Sequence, residues 1–254
     1  MRLPVPVRMC RMDAHRTLAP MSIAANLERV RNQLHDTCAR AHRNPADVRL
    51  VAVSKMHPAE AILEAHATGQ RLFGENRVQE FASKLPEISA VDPLLSTVCS
   101  FHLIGPLQNN KTAKAAELFQ AVDTLDNLKT AARLNEAAAA LNKHLPVLIE
   151  VKLSSEDTKH GIAPDSLPTL LDALLPLQNL SVSGLMTVPP WSEDPETARP
   201  YFQQLRRLRD DNLPRFPGLT ELSMGMSNDF RVAIEEGSTT IRIGTAIFGK
   251  RIYA

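Results

Sequence analysis

The chain has 254 residues, of which 44% are hydrophobic and 22% charged, and its formal net charge is +1. These values are typical of a soluble globular protein, with enough residues for one large α/β domain or two small ones. The balanced charge and the 4% aromatic content give no indication of nucleic-acid binding, and no run of eighteen apolar residues predicts a membrane span.

Cysteines and histidines show no pattern of a disulfide framework or a metal site. The three cysteines, Cys10, Cys38 and Cys99, are odd in number, and their spacing fits neither a disulfide framework nor a metal site. This favours a reducing compartment. The eight histidines are scattered without the spacing of metal ligands. We therefore expect a cytoplasmic protein without a metal site.

Residues 1–20 differ in composition from the rest of the chain. They contain four arginines, three prolines and one acidic residue, and they lack the apolar stretch of a secretory signal. They are either an organelle-targeting segment or an over-long start, with true initiation at Met21. The second interpretation is favoured, because Ser22 is a good N-cap for the helical pattern that follows. We expect residues 1–20 to be disordered.

From Met21 onward, helical and strand patterns alternate along the chain. The predicted helices cover 22–42, 58–68, 76–85, 108–117, 127–142, 165–175, 195–210 and 228–236. The predicted strands cover 48–54, 71–74, 99–104, 119–123, 146–153, 180–188, 220–224 and 240–243. Near-continuous apolar strands are typical of parallel sheets covered on both faces, and eight βα units in about 250 residues indicate a TIM barrel. The prediction is therefore one (β/α)8 TIM barrel over 21–254.

Lys55 directly follows the first predicted strand and is the candidate nucleophile. A lysine at the carboxyl end of a buried strand can have its amine desolvated and form a Schiff base. Considered alone, its position favours an ordinary solvated lysine in a strand-to-helix turn. The turn Ser54-Lys-Met-His57 lacks the Gly-x-Gly-x-x-Gly pattern of a doubly wound dinucleotide-binding sheet, which is the alternative fold.

Two glycine-containing turns follow the last two predicted strands, where TIM barrels often hold phosphate. Gly225 allows the backbone to approach an anion, and Ser227 offers a hydroxyl at the start of the next helix. Gly244 and Thr245 open a helix whose first N–H groups attract negative charge. Either turn alone is common, but together at these two strands they predict a phosphate site on the same barrel mouth as Lys55.

A phosphate site beside a nucleophilic lysine fits pyridoxal 5′-phosphate, which carries both a phosphate and an aldehyde. Arg242 has two interpretations. It is either a structural ion-pair residue at the barrel rim or a guanidinium placed against the pyridine nitrogen. In the second case it would keep that nitrogen unprotonated and make the ring a poor electron sink, because a guanidinium only donates hydrogen bonds.

Several motifs run along nearly the whole chain from Met21. The main ones are Leu50-Val-Ala-Val-Ser-Lys55, Phe73-Gly-Glu-Asn76, His102-Leu-Ile-Gly-Pro-Leu-Gln-Asn-Asn-Lys111, Leu222-Ser-Met-Gly-Met-Ser227 and Ile241-Arg-Ile-Gly-Thr-Ala-Ile-Phe-Gly249. In this combination the sequence resembles the pyridoxal phosphate homeostasis protein family, which has the barrel of the alanine racemase N-terminal domain. The combination is far more specific than any single motif.

The resemblance implies seven cofactor-binding residues: Lys55, Asn76, Met224, Ser227, Arg242, Gly244 and Thr245. In this scheme Lys55 forms the aldimine with pyridoxal 5′-phosphate, and the turns after strands 7 and 8 hold the phosphate. Arg242 faces the pyridine nitrogen, and Asn76 and Met224 line the ring. The sequence departs from the commoner Ser-Lys-Thr-Lys-Pro by reading Ser54-Lys-Met-His-Pro58, which removes a positive charge near Lys55.

The resemblance also implies a role in intracellular vitamin B6 and amino-acid homeostasis, without firm catalytic activity. We expect a monomer whose partners are the cofactor and, as candidate recipients of it, pyridoxal phosphate-dependent apo-enzymes. The alternatives are an amino-acid racemase or related fold-type III enzyme, and a lysine Schiff-base aldolase acting on a sugar phosphate.

Racemisation needs two positioned proton-transfer groups, and the sequence offers few candidates for the second one. We expect the barrel to occupy the whole chain, so that no second domain supplies this group. Tyr201 falls in a predicted helix and Tyr253 in the C-terminal tail, while His102 is either a base or a packed strand residue. The sequence therefore favours a cofactor-binding protein over an enzyme.

Overall fold

Helices and strands alternate along the residues that the computed structural model describes, 22–154 and 160–249. The predicted disorder of residues 1–20 and the proposed start at Met21 lie outside these ranges. The expected N-cap is present, because the Ser22 side chain accepts a hydrogen bond from Ala25 N–H at 3.2 Å. A helix therefore begins at the position that the sequence predicts.

The described part of the chain contains eight strands and ten α-helices. The strands are β1 (Arg49–Val53), β2 (Leu72–Glu75), β3 (Ser100–Leu103), β4 (Ala121–Leu125), β5 (Leu145–Glu150), β6 (Leu180–Met186), β7 (Glu221–Ser223) and β8 (Thr240–Ile243). The helices are α1 (Ile23–Arg40), α2 (Ala59–Ala67), α3 (Val78–Val91), α4 (Leu95–Val98), α5 (Thr112–Leu118), α6 (Leu128–Ala140), α7 (Leu167–Leu174), α8 (Arg199–Asn212), α9 (Phe230–Glu235) and α10 (Thr245–Phe248).

The strands form a closed barrel in sequence order, and every pair of neighbours is parallel. The closure is made by β1 and β8, where Arg49 pairs with Thr240 and Ala52 with Ile243. This arrangement confirms the predicted (β/α)8 TIM barrel. The carboxyl ends of all eight strands consequently meet at one mouth.

The core lies between the barrel and the surrounding helices. Phe101 of β3 stacks on Phe73 of β2 at 5.4 Å between ring centroids, and Phe81 of α3 lies 4.4 Å from Phe101 and 5.2 Å from Phe119. All four rings are almost completely buried. Aromatic pairs at these separations stabilise by more than their buried area alone, so this cluster attaches α3 firmly to β2 and β3.

The largest difference from the predicted elements is in α3. The sequence pattern predicts that the helix ends at residue 85, directly before Pro86, which cannot donate a backbone hydrogen bond. In the structure the helix continues through Pro86 to Val91, and a further short helix, α4, follows it. Phe81 and Ile88, on either side of the proline, are both buried in the core. Tertiary packing therefore outweighs the local cost of the proline.

Within the described ranges, no helix is both long and apolar enough to cross a membrane. The same residues contain no group of three or more histidine, cysteine, aspartate or glutamate side chains arranged to bind a metal ion.

Candidate functional site

A cavity of about 790 Å³ opens at the mouth formed by the carboxyl ends of the strands. This volume lies within the range of about 300–1,000 Å³ that is common for small-molecule sites. Six of the seven predicted site residues lie in its wall: Lys55, Asn76, Ser227, Arg242, Gly244 and Thr245. Arg242 lies within β8, and the other five follow strands β1, β2, β7 and β8, which are consecutive around the closed barrel.

Lys55 lies in the turn that follows β1. Its side chain is partly buried, and its Nζ lies 3.4 Å from Oδ1 of Asn76, which follows β2. The preceding residue, Ser54, is completely buried and donates from Oγ to Oε1 of Glu75 at 2.8 Å. The strand below the lysine is therefore fixed by buried hydrogen bonds, while the amine faces the cavity.

The turns after β7 and β8 are in direct contact. Oγ of Ser227 accepts a hydrogen bond from Ala246 N–H at 3.3 Å. Gly225 has φ of +98°, and a Cβ at this position would lie 2.6 Å from the Cβ of Ala233. Only glycine fits both the dihedral angle and the space. The two predicted phosphate turns thus form one continuous wall.

Gly244 is placed differently from Gly225. A Cβ there would meet nothing closer than Val53 O at 3.4 Å, which is an ordinary contact distance. Packing within the protein does not require a glycine at this position, whereas a backbone that must lie close to an anion in the cavity does. Gly244 precedes Thr245, the first residue of α10. The role of Gly244 and Thr245 in binding a phosphate stays a prediction.

Arg242 lies in the barrel interior below the cavity and is 5% exposed. Its guanidinium donates to Oγ of Ser223 at 2.6 Å and to the carbonyl of Thr187 at 2.9 Å. Burial lowers the pKa of the Arg242 side chain. Three carboxylates oppose this shift: Asp123, Glu150 and Asp229. A guanidinium has five N–H donors, so these two partners leave capacity for a ligand above it.

Asp229 fixes the loop that contains Ser227. It is buried, and its Oδ1 accepts from Met226 N–H at 2.6 Å. Desolvation raises the pKa of Asp229, although the hydrogen bond from Met226 and the charge of Arg242 act in the opposite direction. The aspartate therefore closes the turn on the side facing the cavity.

Met224 and His102 occupy positions other than the mouth of the barrel. Met224 is completely buried in the hydrophobic core and, among the described residues, is not part of the cavity wall, whereas Met226 is. His102 lines a second, smaller cavity of about 190 Å³, and its Nδ1 lies 3.2 Å from Oδ1 of Asp123. The role of Met224 as a residue lining the cofactor ring stays a prediction, and His102 is a paired residue of the barrel interior.

Sequence reasoning missed several polar wall residues, among them Thr124, Glu150 and Asp229. Glu150 is the last residue of β5, so its position at a strand end was a usable signal. His160 and the 75% exposed Trp191 also lie in the wall, in the segments that follow β5 and β6.

Comparison with known proteins places this barrel in a family. The model of the alanine racemase N-terminal domain matches residues 22–251. Pyridoxal phosphate homeostasis proteins of Vibrio cholerae and Pseudomonas aeruginosa are 44% and 45% identical to the chain over 233 residues each. The match covers 92% of this chain and 98% of the Vibrio protein, and 91% of this chain and 97% of the Pseudomonas protein.

The chain belongs to the pyridoxal phosphate homeostasis protein family. A third member, from Aquifex aeolicus, is 41% identical over 92% of this chain and its own full length. This membership confirms the resemblance read from the motifs that surround Lys55, Asn76 and Ser227.

A solved structure of a family-like protein contains the cofactor. PipY of Synechococcus elongatus, determined with pyridoxal phosphate bound, is 38% identical and superposes with a TM-score of 0.79. The alignment covers 90% of this chain and the whole of PipY. An alanine racemase of Clostridium difficile shares 15% identity, with a TM-score of 0.66 over 56% of its length. The similarity to the racemase shows only that the two proteins share a fold.

Proposed function

We propose that this chain binds pyridoxal 5′-phosphate, with Lys55 as its covalent anchor, and acts in the homeostasis of this cofactor. The observation that carries the proposal is the position of the Lys55 amine, in a cavity whose wall also contains the joined turns after β7 and β8. Membership of the pyridoxal phosphate homeostasis family supports it, as does the bound cofactor in PipY.

The proposed cofactor-binding residues of the wall have separate roles in holding the cofactor. Pyridoxal phosphate supplies an aldehyde that condenses with a neutral primary amine. Lys55 offers this amine, and Asn76 Oδ1, at 3.4 Å, orients it. Ser227, Gly244 and Thr245 bind the phosphate through a hydroxyl and backbone N–H groups, as at other helix N-termini.

Arg242 lies against the pyridine nitrogen in this proposal. A guanidinium keeps its proton in proteins and can only donate, so the ring nitrogen beside it accepts a hydrogen bond and stays unprotonated. An unprotonated ring withdraws electrons weakly, and the site is then poorly suited to stabilise a carbanion. The bonds from Arg242 to Ser223 and Thr187 hold the guanidinium in this orientation.

We propose further that the protein holds the cofactor without turning over amino acids. Racemisation requires a second proton-transfer group across the ring from Lys55. Tyr201 lies in α8 of the outer layer, and His102 lines the second cavity, where it is paired with Asp123. Tyr253 lies outside the described residues. The positions of Tyr201 and His102 remove the candidates that the sequence offered and in this way support a carrier. The exposed Trp191 at the cavity rim is a candidate contact for an apo-enzyme that receives the cofactor.

We propose in addition that residues 21–254 form one domain and that the protein is a cytoplasmic monomer. Cys38 and Cys99 are buried free thiols, which fits a reducing compartment. Sedimentation of the purified protein tests the monomer directly, and a species of twice the expected mass would contradict it.

Absorption spectroscopy tests the binding proposal. Wild-type protein mixed with pyridoxal phosphate should gain visible absorption that survives desalting, and borohydride should fix the cofactor to the chain. Lys55→Ala should lose both signals. The matched control is Lys152→Ala, because Lys152 follows β5 at the same end of the barrel but is outside the cavity wall formed by the described residues. A colourless wild type, or equal loss in both variants, would refute the proposal.

A panel of L- and D-amino acids tests the absence of turnover. The coloured wild-type protein should leave the chirality and the carboxyl group of every member unchanged. Racemisation or decarboxylation that disappears in Lys55→Ala would instead establish an enzyme.

A further inference from the structure

The turn that contains Lys55 has an unfavourable backbone conformation. It is closed by a hydrogen bond from His57 N–H to the carbonyl of Ser54 at 3.1 Å, and Met56, its third residue, has φ of +61°. This left-handed region favours glycine, because a Cβ crowds the following carbonyl. A methionine persists there only when its surroundings hold it.

Two side chains of α3 hold this turn from outside. Oε1 of Glu80 accepts from Met56 N–H at 2.5 Å, and Nζ of Lys84 donates to the carbonyl of Ser54 at 3.0 Å. Lys84 also donates to Glu80 at 2.6 Å. The two backbone groups that flank Lys55 are therefore bound to one charged pair.

The charged pair is itself fixed by a buried carboxylate. Lys84 Nζ lies 3.0 and 3.2 Å from the two oxygens of Glu75, which is completely buried in β2. Burial alone would raise the pKa of Glu80, but hydrogen bonds from Lys84 and Met56 N–H together lower it. Glu80 is therefore an ionised acceptor at neutral pH, and its bond to the turn is charge-assisted and strong.

Neither Glu80 nor Lys84 is part of the cavity wall that the described residues form. Both residues contact the backbone of residues 54–56, and Lys84 also contacts Glu75, which directly precedes the wall residue Asn76. We propose that Glu80 and Lys84 are positioning residues, which hold the Lys55 turn in its strained conformation and so set how fast Nζ bonds to the cofactor's aldehyde. This inference rests on the proposed function of Lys55.

The covalent step is balanced within the site. The neutral amine of Lys55 adds to the aldehyde carbon, and a carbon–nitrogen double bond forms. The carbonyl oxygen leaves as water with both amine hydrogens. No oxidant or reductant is needed, so the rate depends on how the amine is presented to the carbon, which the turn determines.

The test separates positioning of the amine from formation of the pocket. Glu80→Ala should slow bond formation with pyridoxal phosphate about tenfold, which is the effect of about 1.4 kcal/mol on a barrier. Its affinity for pyridoxine 5′-phosphate, which has no aldehyde, should stay within about twofold of wild type, because the wall residues are unchanged. Glu80→Gln keeps an acceptor oxygen and should give an intermediate rate, and it replaces Glu80→Ala if that variant does not fold.

The matched control is Glu87→Ala, an exposed glutamate of the same helix, which should leave the rate unchanged. Adding Met56→Gly to Glu80→Ala should restore part of the rate, because glycine adopts the positive φ without support. Equal losses of rate and of pyridoxine phosphate affinity, equal effects in Glu80→Ala and Glu87→Ala, or no gain from Met56→Gly would overturn the inference. A wild type that forms no bond at all would overturn the proposed function, and this inference with it.

Discussion

The buried pair of Lys84 and Glu75 makes the stability of this barrel depend on pH in a predictable way. The perturbation is Lys84→Met, which keeps most of the side-chain volume and removes the ammonium group. Glu75 then remains completely buried without its main partner. Desolvation already raises the pKa of Glu75 in the wild type, and Lys84 is the principal group that opposes this rise. Its loss therefore raises that pKa further.

The magnitude follows from the ionisation of one carboxyl group. The effect is largest when the raised pKa keeps folded Glu75 protonated at neutral pH, whereas in the unfolded chain it ionises with a pKa of about 4.3. The folded state then binds the extra proton, so stability is greatest below the unfolded pKa and falls as the pH rises toward the folded pKa. Keeping the Glu75 carboxyl protonated in the folded state costs about 1.4 kcal/mol for each pH unit above the unfolded pKa, or about 3.7 kcal/mol at pH 7.

Denaturant unfolding at several pH values measures this effect. The free energy of unfolding of Lys84→Met should fall below that of wild type by at most about 1 kcal/mol at pH 5 and by up to about 3.7 kcal/mol at pH 7. The matched control is Lys114→Met, because Lys114 forms an exposed pair with Glu117 at 2.7 Å. The free energy of unfolding of this control should fall by less than about 1 kcal/mol at both pH values. A loss for Lys84→Met that is the same at pH 5 and pH 7 would refute the reasoning.

Three further substitutions test other parts of the barrel. Gly225→Ala should lower the free energy of unfolding by about 1–3 kcal/mol, because the new Cβ would lie 2.6 Å from that of Ala233 at a positive φ; an unchanged denaturation midpoint would contradict this. Asn127→Ala should lower it by about 1 kcal/mol through loss of the cap on Thr130 N–H, with cofactor affinity unchanged as measured by titration. Ser227→Ala should weaken binding of pyridoxal phosphate about tenfold but leave unphosphorylated pyridoxal unaffected in the same titration, since in the proposed site this hydroxyl contacts the phosphate and no other part of the cofactor; equal weakening of both ligands would argue against a phosphate site there.

The sequence predicted the strands of this barrel better than its helices. Buried parallel strands such as β1, whose last four residues are Leu-Val-Ala-Val, appear in the sequence as short apolar runs. Helix ends depend on contacts with other elements. The extension of α3 past Pro86 depends on burial of Ile88 in the core, which no local pattern indicates.

The site was predictable where residues follow a strand directly. Lys55, Asn76 and Gly244 come one or two residues after their strands, so the fold alone brings them to the mouth. Met224 also follows its strand, yet its side chain points into the core. A position in sequence fixes the end of the barrel, but the direction of the side chain depends on local backbone geometry.

The pairing of β1 with β8 has a consequence for the synthesis of the protein. The proposed anchor, Lys55, leaves the ribosome with the first strand, whereas the turn at Gly244 and Thr245 emerges only after the last one. For most of its translation, the nascent chain therefore contains Lys55 but lacks the turn that is proposed to bind the phosphate. Capture of the cofactor has to wait until β8 docks beside β1, so a loaded protein is one whose barrel has already closed.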